Sequence, residues 1–301
     1  MSKSFHNILV ATSLEPASDA VVITAKTVAE ATGARLHLVH AFALPVAYLA
    51  VPTGMSVIDP EMLDTARDAE RQFLLEQLSR TGVDTKSVAT TMIEPGAAHR
   101  IIRQAAEDVE ADLIIVGASG SDVLTQTLGS TADRVLRHAT CPVLVVRPGL
   151  SVPPKRALAT TDLSPLAEGC IGRGLAWLRA VGGGATRVDV LFVLSAAERD
   201  GSSQFTPEQI DRLAAEQLDE TIDRLRTVDA GPSLEPRVRV GMPRHEILAE
   251  LGESDDPPVE LVILGTHGRS GFERFLLGSV AADVTDAAAV SVLVIPPDES
   301  S

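Results

Sequence analysis

The sequence is poor in cysteine, in aromatic residues and in positive charge, and the shortages of cysteine and of positive charge each exclude a class of protein. Its 301 residues include one tryptophan and one tyrosine, and only two cysteines. With two cysteines, neither a disulfide framework nor a four-thiolate zinc site can form. Lysine and arginine number 26 against 41 aspartates and glutamates, which gives a net charge of −15. A surface that negative repels nucleic-acid backbones and anionic lipid headgroups. We therefore expect neither nucleic acid nor a membrane surface as a partner.

Long apolar runs are also missing. The longest uncharged stretch, residues 42–58, contains two prolines and a glycine, and it is shorter than the roughly 20 residues of a membrane-spanning helix. The apolar run at residues 8–11 is too short for the core of a signal peptide. We therefore expect a cytoplasmic protein, and the low cysteine content agrees with a reducing compartment. The length and the 45% hydrophobic content fit two globular domains.

The most informative feature is an internal repeat with an offset of about 148 residues. For example, the segment 112–120 returns as 260–268. A segment that contains proline and glycine, residues 148–154, lies between the copies and suits an exposed linker. The sequence therefore predicts one domain that has been duplicated, with a first domain over residues 1–148 and a second over residues 152–301.

Strand and helix patterns alternate in both copies. In the first copy, short apolar runs precede longer segments with helical periodicity, and these runs cover residues 8–12, 35–41, 88–93, 112–116 and 143–146. Such alternation predicts parallel strand–helix–strand units. The runs at 113–116 and 261–264 are apolar on both faces, as a sheet covered by helices on both sides requires. We therefore predict two tandem doubly wound α/β domains, each with a five-stranded parallel sheet.

A candidate ligand site follows the fourth strand of the second copy. Ligands of open parallel sheets bind at the carboxyl ends of the strands, where the strand order reverses. There the glycine-rich segment 265–271 is followed by Gly278 and Ser279, which open a helical pattern. Glycine lets the backbone approach a phosphate, and we expect a side chain at Gly278 to strain the backbone. Helix N–H groups and the Ser279 hydroxyl would donate to an anion, although glycine turns that only end strands would have the same spacing.

These residues resemble the ATP-binding subgroup of the universal stress protein family. The motif of that subgroup is Gly, two residues, Gly, nine residues, Gly and Ser or Thr, and Gly265, Gly268, Gly278 and Ser279 fit it without a gap. The resemblance covers nearly the whole chain as two tandem copies. It implies an adenine nucleotide alpha hydrolase-like fold, a role in stress tolerance, and ATP as the ligand, with or without Mg²⁺. It implies no catalytic and no metal-binding side chain.

The resemblance also implies which residues of the second copy hold the nucleotide. Asp162, at the end of the first strand, would bind the ribose hydroxyls, and Val193, after the second strand, would pack on adenine. The implied nucleotide-binding residues are Thr160, Thr161, Asp162, Val193, Leu264, Gly265, His267, Gly268, Arg269, Gly278, Ser279 and Val280. From the residues alone, Asp162 has a second interpretation as the N-cap of the following helix.

The first copy departs from the motif at three points. Ser13 stands in the place of Asp162, so the ribose carboxylate is missing. Eight residues instead of nine separate Gly120 from Gly129, and the shortened loop carries Asp122, whose charge is unfavourable beside a triphosphate. We therefore expect a degenerate nucleotide motif in the first copy.

Two other functions stay open from the sequence. The first is a slow ATPase or phosphotransferase, which would need a metal clamp and a group that positions the nucleophile. Asp162, His267, Arg269 and Ser279 surround the motif, but none of them has an obvious partner base in the sequence. The second is a scaffold in which both motifs are vestigial.

The last strand of each copy suggests how the two copies assemble. Residues 143–146 and 292–295 are apolar and are followed closely by proline. An apolar edge strand invites a partner, and the family resemblance implies dimerisation through the final strands. We therefore expect an internal pseudo-dimer of the two halves, and the sequence leaves open a further association of two chains as a homodimer.

Overall fold

The computed structural model describes residues 5–43, 60–118, 128–201, 204–226, 231–253, 257–266 and 277–297. Its strands are β1 (Asn7–Ala11), β2 (Arg35–Phe42), β3 (Val88–Pro95), β4 (Leu113–Gly117), β5 (Val143–Val146), β6 (Arg156–Thr161), β7 (Arg187–Leu194), β8 (Ser233–Val240), β9 (Leu261–Gly265) and β10 (Ser291–Ile295). Its α-helices are α1 (Asp19–Thr32), α2 (Pro60–Thr81), α3 (Ala98–Asp108), α4 (Ser130–His138), α5 (Pro165–Ala180), α6 (Ala196–Asp200), α7 (Pro207–Leu225), α8 (Pro243–Leu251) and α9 (Ser279–Ala287). None of these described helices combines the length and the apolar character that crossing a membrane would require.

All ten strands belong to one continuous sheet. Their order is β3-β2-β1-β4-β5-β10-β9-β6-β7-β8. Neighbouring strands are parallel within each half, and only β5 and β10, at the centre, pair antiparallel. The predicted pair of doubly wound α/β domains is therefore confirmed, with the added finding that the two sheets are joined edge to edge. Strand order reverses between β1 and β4 and again between β6 and β9, which leaves a crevice at the carboxyl ends of each pair.

Helices cover both faces of the sheet. Successive strand residues point to opposite faces, so Ile8 and Val10 pack into one apolar layer whereas Leu9 packs into the other. The first layer includes residues of α1, α2, α5 and α7, and the second includes residues of α3, α4, α8 and α9. Because both faces are buried, the strands are apolar on both faces, as the sequence pattern indicated.

The antiparallel pairing of β5 with β10 makes the chain an internal pseudo-dimer. Leu144 lies opposite Leu293, and a pair of valines flanks them on each side. All of these side chains are buried. Leu144 and Leu293 are equivalent residues of the repeat, 149 positions apart. A pseudo-twofold axis therefore passes between them and relates each residue of this region to the one 149 positions later.

Arg147 adds polar contacts across the junction of β5 and β10, which is the seam between the two halves. Its backbone N–H donates to Ser291 Oγ at 2.9 Å, and its guanidinium Nη2 donates to the carbonyl of Thr285 at 2.9 Å. Thr285 lies near the C-terminus of α9, where backbone carbonyls lack partners within the helix. A buried cation from the first half therefore stabilises the end of a helix in the second half.

Separate expression of residues 1–150 and 152–301 tests the importance of this seam. Each half would expose an apolar strand with free backbone donors and acceptors, so we expect each to self-associate or to become insoluble. Mixing the two should yield a 1:1 heterodimer, which light scattering would detect. Two soluble monomeric halves that do not bind each other would contradict the importance given to this seam.

Candidate functional site

A cleft of about 390 Å³ opens at the carboxyl ends of β6 and β9, within the size range of small-molecule sites. It lies at the crevice where strand order reverses in the second half. The described residues that line it are Thr160, Thr161, Asp162, Ala167, Leu191, Phe192, Val193, Ser195, Glu198, Pro243, Ile247, Leu264, Gly265, Thr266, Gly278, Ser279, Val280 and Ala281. Nine of the twelve residues named from the sequence are among them. His267, Gly268 and Arg269 lie outside the described residues.

Asp162 is positioned by the tight turn that follows β6. Thr161 Oγ1 accepts a hydrogen bond from the N–H of Leu163 at 2.9 Å, and Leu163 has a left-handed backbone with φ of 63°. Asp162 Oδ1 accepts from the N–H of Ser164 at 2.9 Å. The N-cap of α5 is Ser164, whose Oγ accepts from the N–H of Ala167. The interpretation of Asp162 as the helix cap is therefore wrong, and Asp162 is one of the residues that line the cleft.

The start of α9 supplies hydrogen-bond donors to the same cleft. Gly278 is its N-cap and carries no capping side chain, so the first N–H groups of the helix, those of Ser279 and Val280 among them, have no acceptor within the helix. Exposed N–H groups at a helix start, together with the helix dipole, favour an anion. The hydroxyl of Ser279 adds a further donor.

A close backbone contact explains glycine at position 278. Its N–H donates to the carbonyl of Thr266 at 2.7 Å and closes the glycine loop. A Cβ atom at Gly278 would lie 3.0 Å from that carbonyl oxygen, which is tighter than an ordinary contact. Its φ of −58° is open to any residue, so the expected backbone strain is wrong. The constraint is steric and comes from Thr266.

The remaining wall of the cleft is apolar and includes residues that the sequence did not single out. Leu191, Ile247 and Leu264 are almost fully buried, and they come from β7, α8 and β9. Ser195 and Glu198 border the same region through the capping box of α6, in which Ser195 Oγ accepts from the N–H of Glu198 at 3.2 Å. The spacing Ser-x-x-Glu is a recognisable sequence signal for a helix start, but it does not indicate a ligand.

The charge of the cleft is negative over its described lining. Asp162 and Glu198 are acidic, and no lysine, arginine or histidine occurs among the described lining residues. The whole chain carries a net charge of −15. The helix start can attract an anion, but a polyanion would need further positive charge.

The equivalent position in the first half has the same backbone and different side chains. Leu14 repeats the left-handed turn with φ of 65°, and Thr12 Oγ1 again accepts from its N–H, at 3.1 Å. Here, however, the Thr12 hydroxyl also donates to Gln77 Oε1 at 2.8 Å and lies 2.9 Å from Ser18 Oγ. The first half therefore uses this hydroxyl in a buried protein network, where Thr161 borders a cleft.

The glycine loops of the two halves share their end points and differ in length. Gly129 N donates to the carbonyl of Ala118 at 2.5 Å, as Gly278 does to Thr266. Since the anchors correspond, the missing residue of the first half falls within the loop itself. Asp122, which the sequence placed in that loop, lies outside the described residues.

Comparison with known proteins gives a consistent result over both halves. The sequence model of the universal stress protein family matches residues 4–147 and 154–296. A universal stress protein of Mycolicibacterium smegmatis is 27% identical over 302 residues, which cover 98% of this chain and 99% of the relative. A universal stress protein of Mycobacterium tuberculosis is 28% identical over 303 residues, which cover 95% of each chain.

The fold is similar to solved structures over nearly its full length. The crystal structure of a universal stress protein from Archaeoglobus fulgidus superposes with a TM-score of 0.66, covering 98% of this chain and 97% of that chain. The sequence identity is 17%, so this likeness concerns the fold alone. It extends over both halves and therefore includes the tandem arrangement.

Proposed function

The chain belongs to the universal stress protein family, and we propose that it binds one ATP molecule, in the cleft of its second half. The observation that carries this proposal is that a carboxylate residue and a helix start line one cleft: Asp162 after β6, and Ser279 and Val280 at the start of α9. A ribose offers hydroxyl donors to the first group, and a phosphate offers acceptors to the second. The apolar wall suits a flat base.

Each part of the cleft has a role in this proposal. Asp162, whose Oδ1 is oriented by the N–H of Ser164, accepts hydrogen bonds from the ribose hydroxyls. Val193, Leu264 and Ile247 pack against adenine. Gly278 keeps the helix start open to the phosphates, to which Ser279 donates from its N–H and hydroxyl groups. ATP would bind with or without Mg²⁺, and the described residues contain no cluster of three His, Cys, Asp or Glu side chains that could hold a metal.

The proposed function is regulatory binding in stress tolerance, without a catalytic residue. Among the residues that line the cleft in the described ranges, Asp162 and Glu198 are the groups that could act as a base. In this proposal both have other roles, because Asp162 holds the ribose and Glu198 caps α6. Bound ATP would therefore be a regulatory ligand, and mass spectrometry of the denatured purified protein would identify it if it co-purifies.

Substitution of Gly278 by leucine should abolish ATP binding and leave the fold intact. The side chain would press on the carbonyl of Thr266, 3.0 Å from the Cβ position, and would enter the space assigned to the phosphates. The matched control is Gly129→Leu, which changes the equivalent N-cap of the first half and should leave ATP affinity nearly unchanged. Calorimetric titration measures both, and an equal loss in the two variants would refute the assignment to the second half.

Substitution of Asp162 by alanine should weaken ATP binding by about 1.5–3 kcal/mol, the usual contribution of a hydrogen bond to a charged group. That loss corresponds to roughly a 10- to 150-fold higher dissociation constant. The effect on 2′-deoxy-ATP should be smaller, because that ligand lacks one of the ribose hydroxyls that Asp162 would bind. If alanine leaves the affinity for ATP unchanged, the ribose role is wrong.

A further inference from the structure

The two halves make a contact at the start of α4, the helix that follows the glycine loop of the first half. The N–H of Leu128 donates to Asp286 Oδ1 at 2.9 Å. Leu128 precedes Gly129, the N-cap of α4, whereas Asp286 lies in the last turn of α9. The second half therefore brings a carboxylate to the end of the first half's glycine loop, at the place where a phosphate would meet the helix start.

The pseudo-twofold axis carries this contact onto the second half. The β5–β10 register, centred on Leu144 and Leu293, relates residues 149 positions apart. The same relation takes Leu128 to Leu277 and Asp286 to Arg137. The symmetry therefore predicts that the last turn of α4 lies beside Leu277, directly before Gly278. By this symmetry a residue of the first half would lie near the proposed phosphate end of the second half's cleft, although it is not among the described residues that line the cleft.

The charge at this shared position is opposite in the two halves. Asp286 faces the first half, where the ribose carboxylate is replaced by Ser13. The pseudo-twofold relation assigns Arg137 to the corresponding position at the second half, which has the complete motif. A carboxylate repels phosphate, whereas a guanidinium attracts it and can donate two parallel hydrogen bonds. The sign of the charge in each half therefore agrees with the proposal that the second half, and not the first, binds the nucleotide.

Arg137 is also available to a ligand. Its Nε donates to both oxygens of Asp133, at 3.1 and 3.0 Å, and this hydrogen bond raises the pKa of Arg137, so the guanidinium stays charged. The pair joins residues four apart on one helix, with side chains 40% and 35% exposed. Exposed pairs of this kind are weak, and a triphosphate can compete with Asp133 for the guanidinium.

We propose that Arg137, from the first half, attracts the phosphates of the nucleotide bound in the second half. This inference rests on the proposed function and adds a positive charge from the first half to a cleft whose described lining contains no cation. The site is completed across the pseudo-dimer seam. The half with the degenerate motif therefore contributes to binding, since it supplies positive charge to the half that holds the nucleotide.

The test compares Arg137→Gln with Arg100→Gln in the full chain. Arg100 is an exposed arginine on α3 of the same half, so its substitution makes the same change in net charge on a different helix. We expect Arg137→Gln to weaken ATP binding about five- to tenfold and Arg100→Gln to change it less than about twofold. Arg137→Lys should restore most of the affinity, and the deficit of Arg137→Gln should shrink at high salt.

Binding of adenosine separates attraction of the phosphates from a structural effect. Adenosine carries no phosphate, so its affinity should be the same in the wild type and in Arg137→Gln. Equal ATP affinity in the two glutamine variants would overturn the proposal, and so would a parallel loss of ATP and adenosine binding. If the wild type binds neither ATP nor adenosine, the proposed function itself is wrong.

Discussion

The antiparallel pairing of β5 with β10 is the constraint on which the rest of the architecture depends. It joins two five-stranded sheets into one and buries the apolar edge that each half would otherwise expose. Because the pairing is antiparallel, the carboxyl ends of the strands point in opposite directions in the two halves. The end of α9 therefore lies beside the start of α4, at the carboxyl ends of the strands of the first half, as the contact between Asp286 and Leu128 shows.

The two halves share the same backbone turn after the first strand and the same closure of the glycine loop, and they differ there in a few side chains. Leu14 and Leu163 hold the same left-handed turn, and Gly129 and Gly278 close the same loop. The first half fills its turn with the buried side chain of Gln77, whereas the second opens a cleft beside Asp162. A duplicated fold can change function in this way because stability resides in the shared core and ligand binding in the loops at the strand ends.

The sequence was sufficient for the fold and for part of the candidate site, for physical reasons that differ. The repeat and the buried strands specified two α/β halves, since strands covered on both faces must be apolar. The register at Leu144 could not be predicted, because short Val- and Leu-rich strands can pair in several registers. Ile247 and Leu191 join the cleft only through tertiary packing, and helical or strand periodicity marks such residues as buried without showing that a cavity borders them. The backbone contact of Gly278 with Thr266 likewise depends on where a loop returns.

The central claim is that two copies of one fold contain one nucleotide site, and the stoichiometry of binding tests it most directly. Calorimetric titration of nucleotide-stripped protein with ATP should give a value near one per chain, at an affinity that Asp162 and Gly278 control. Two equivalent sites per chain would contradict the asymmetry between Asp162 and Ser13, and no binding would contradict the nucleotide assignment.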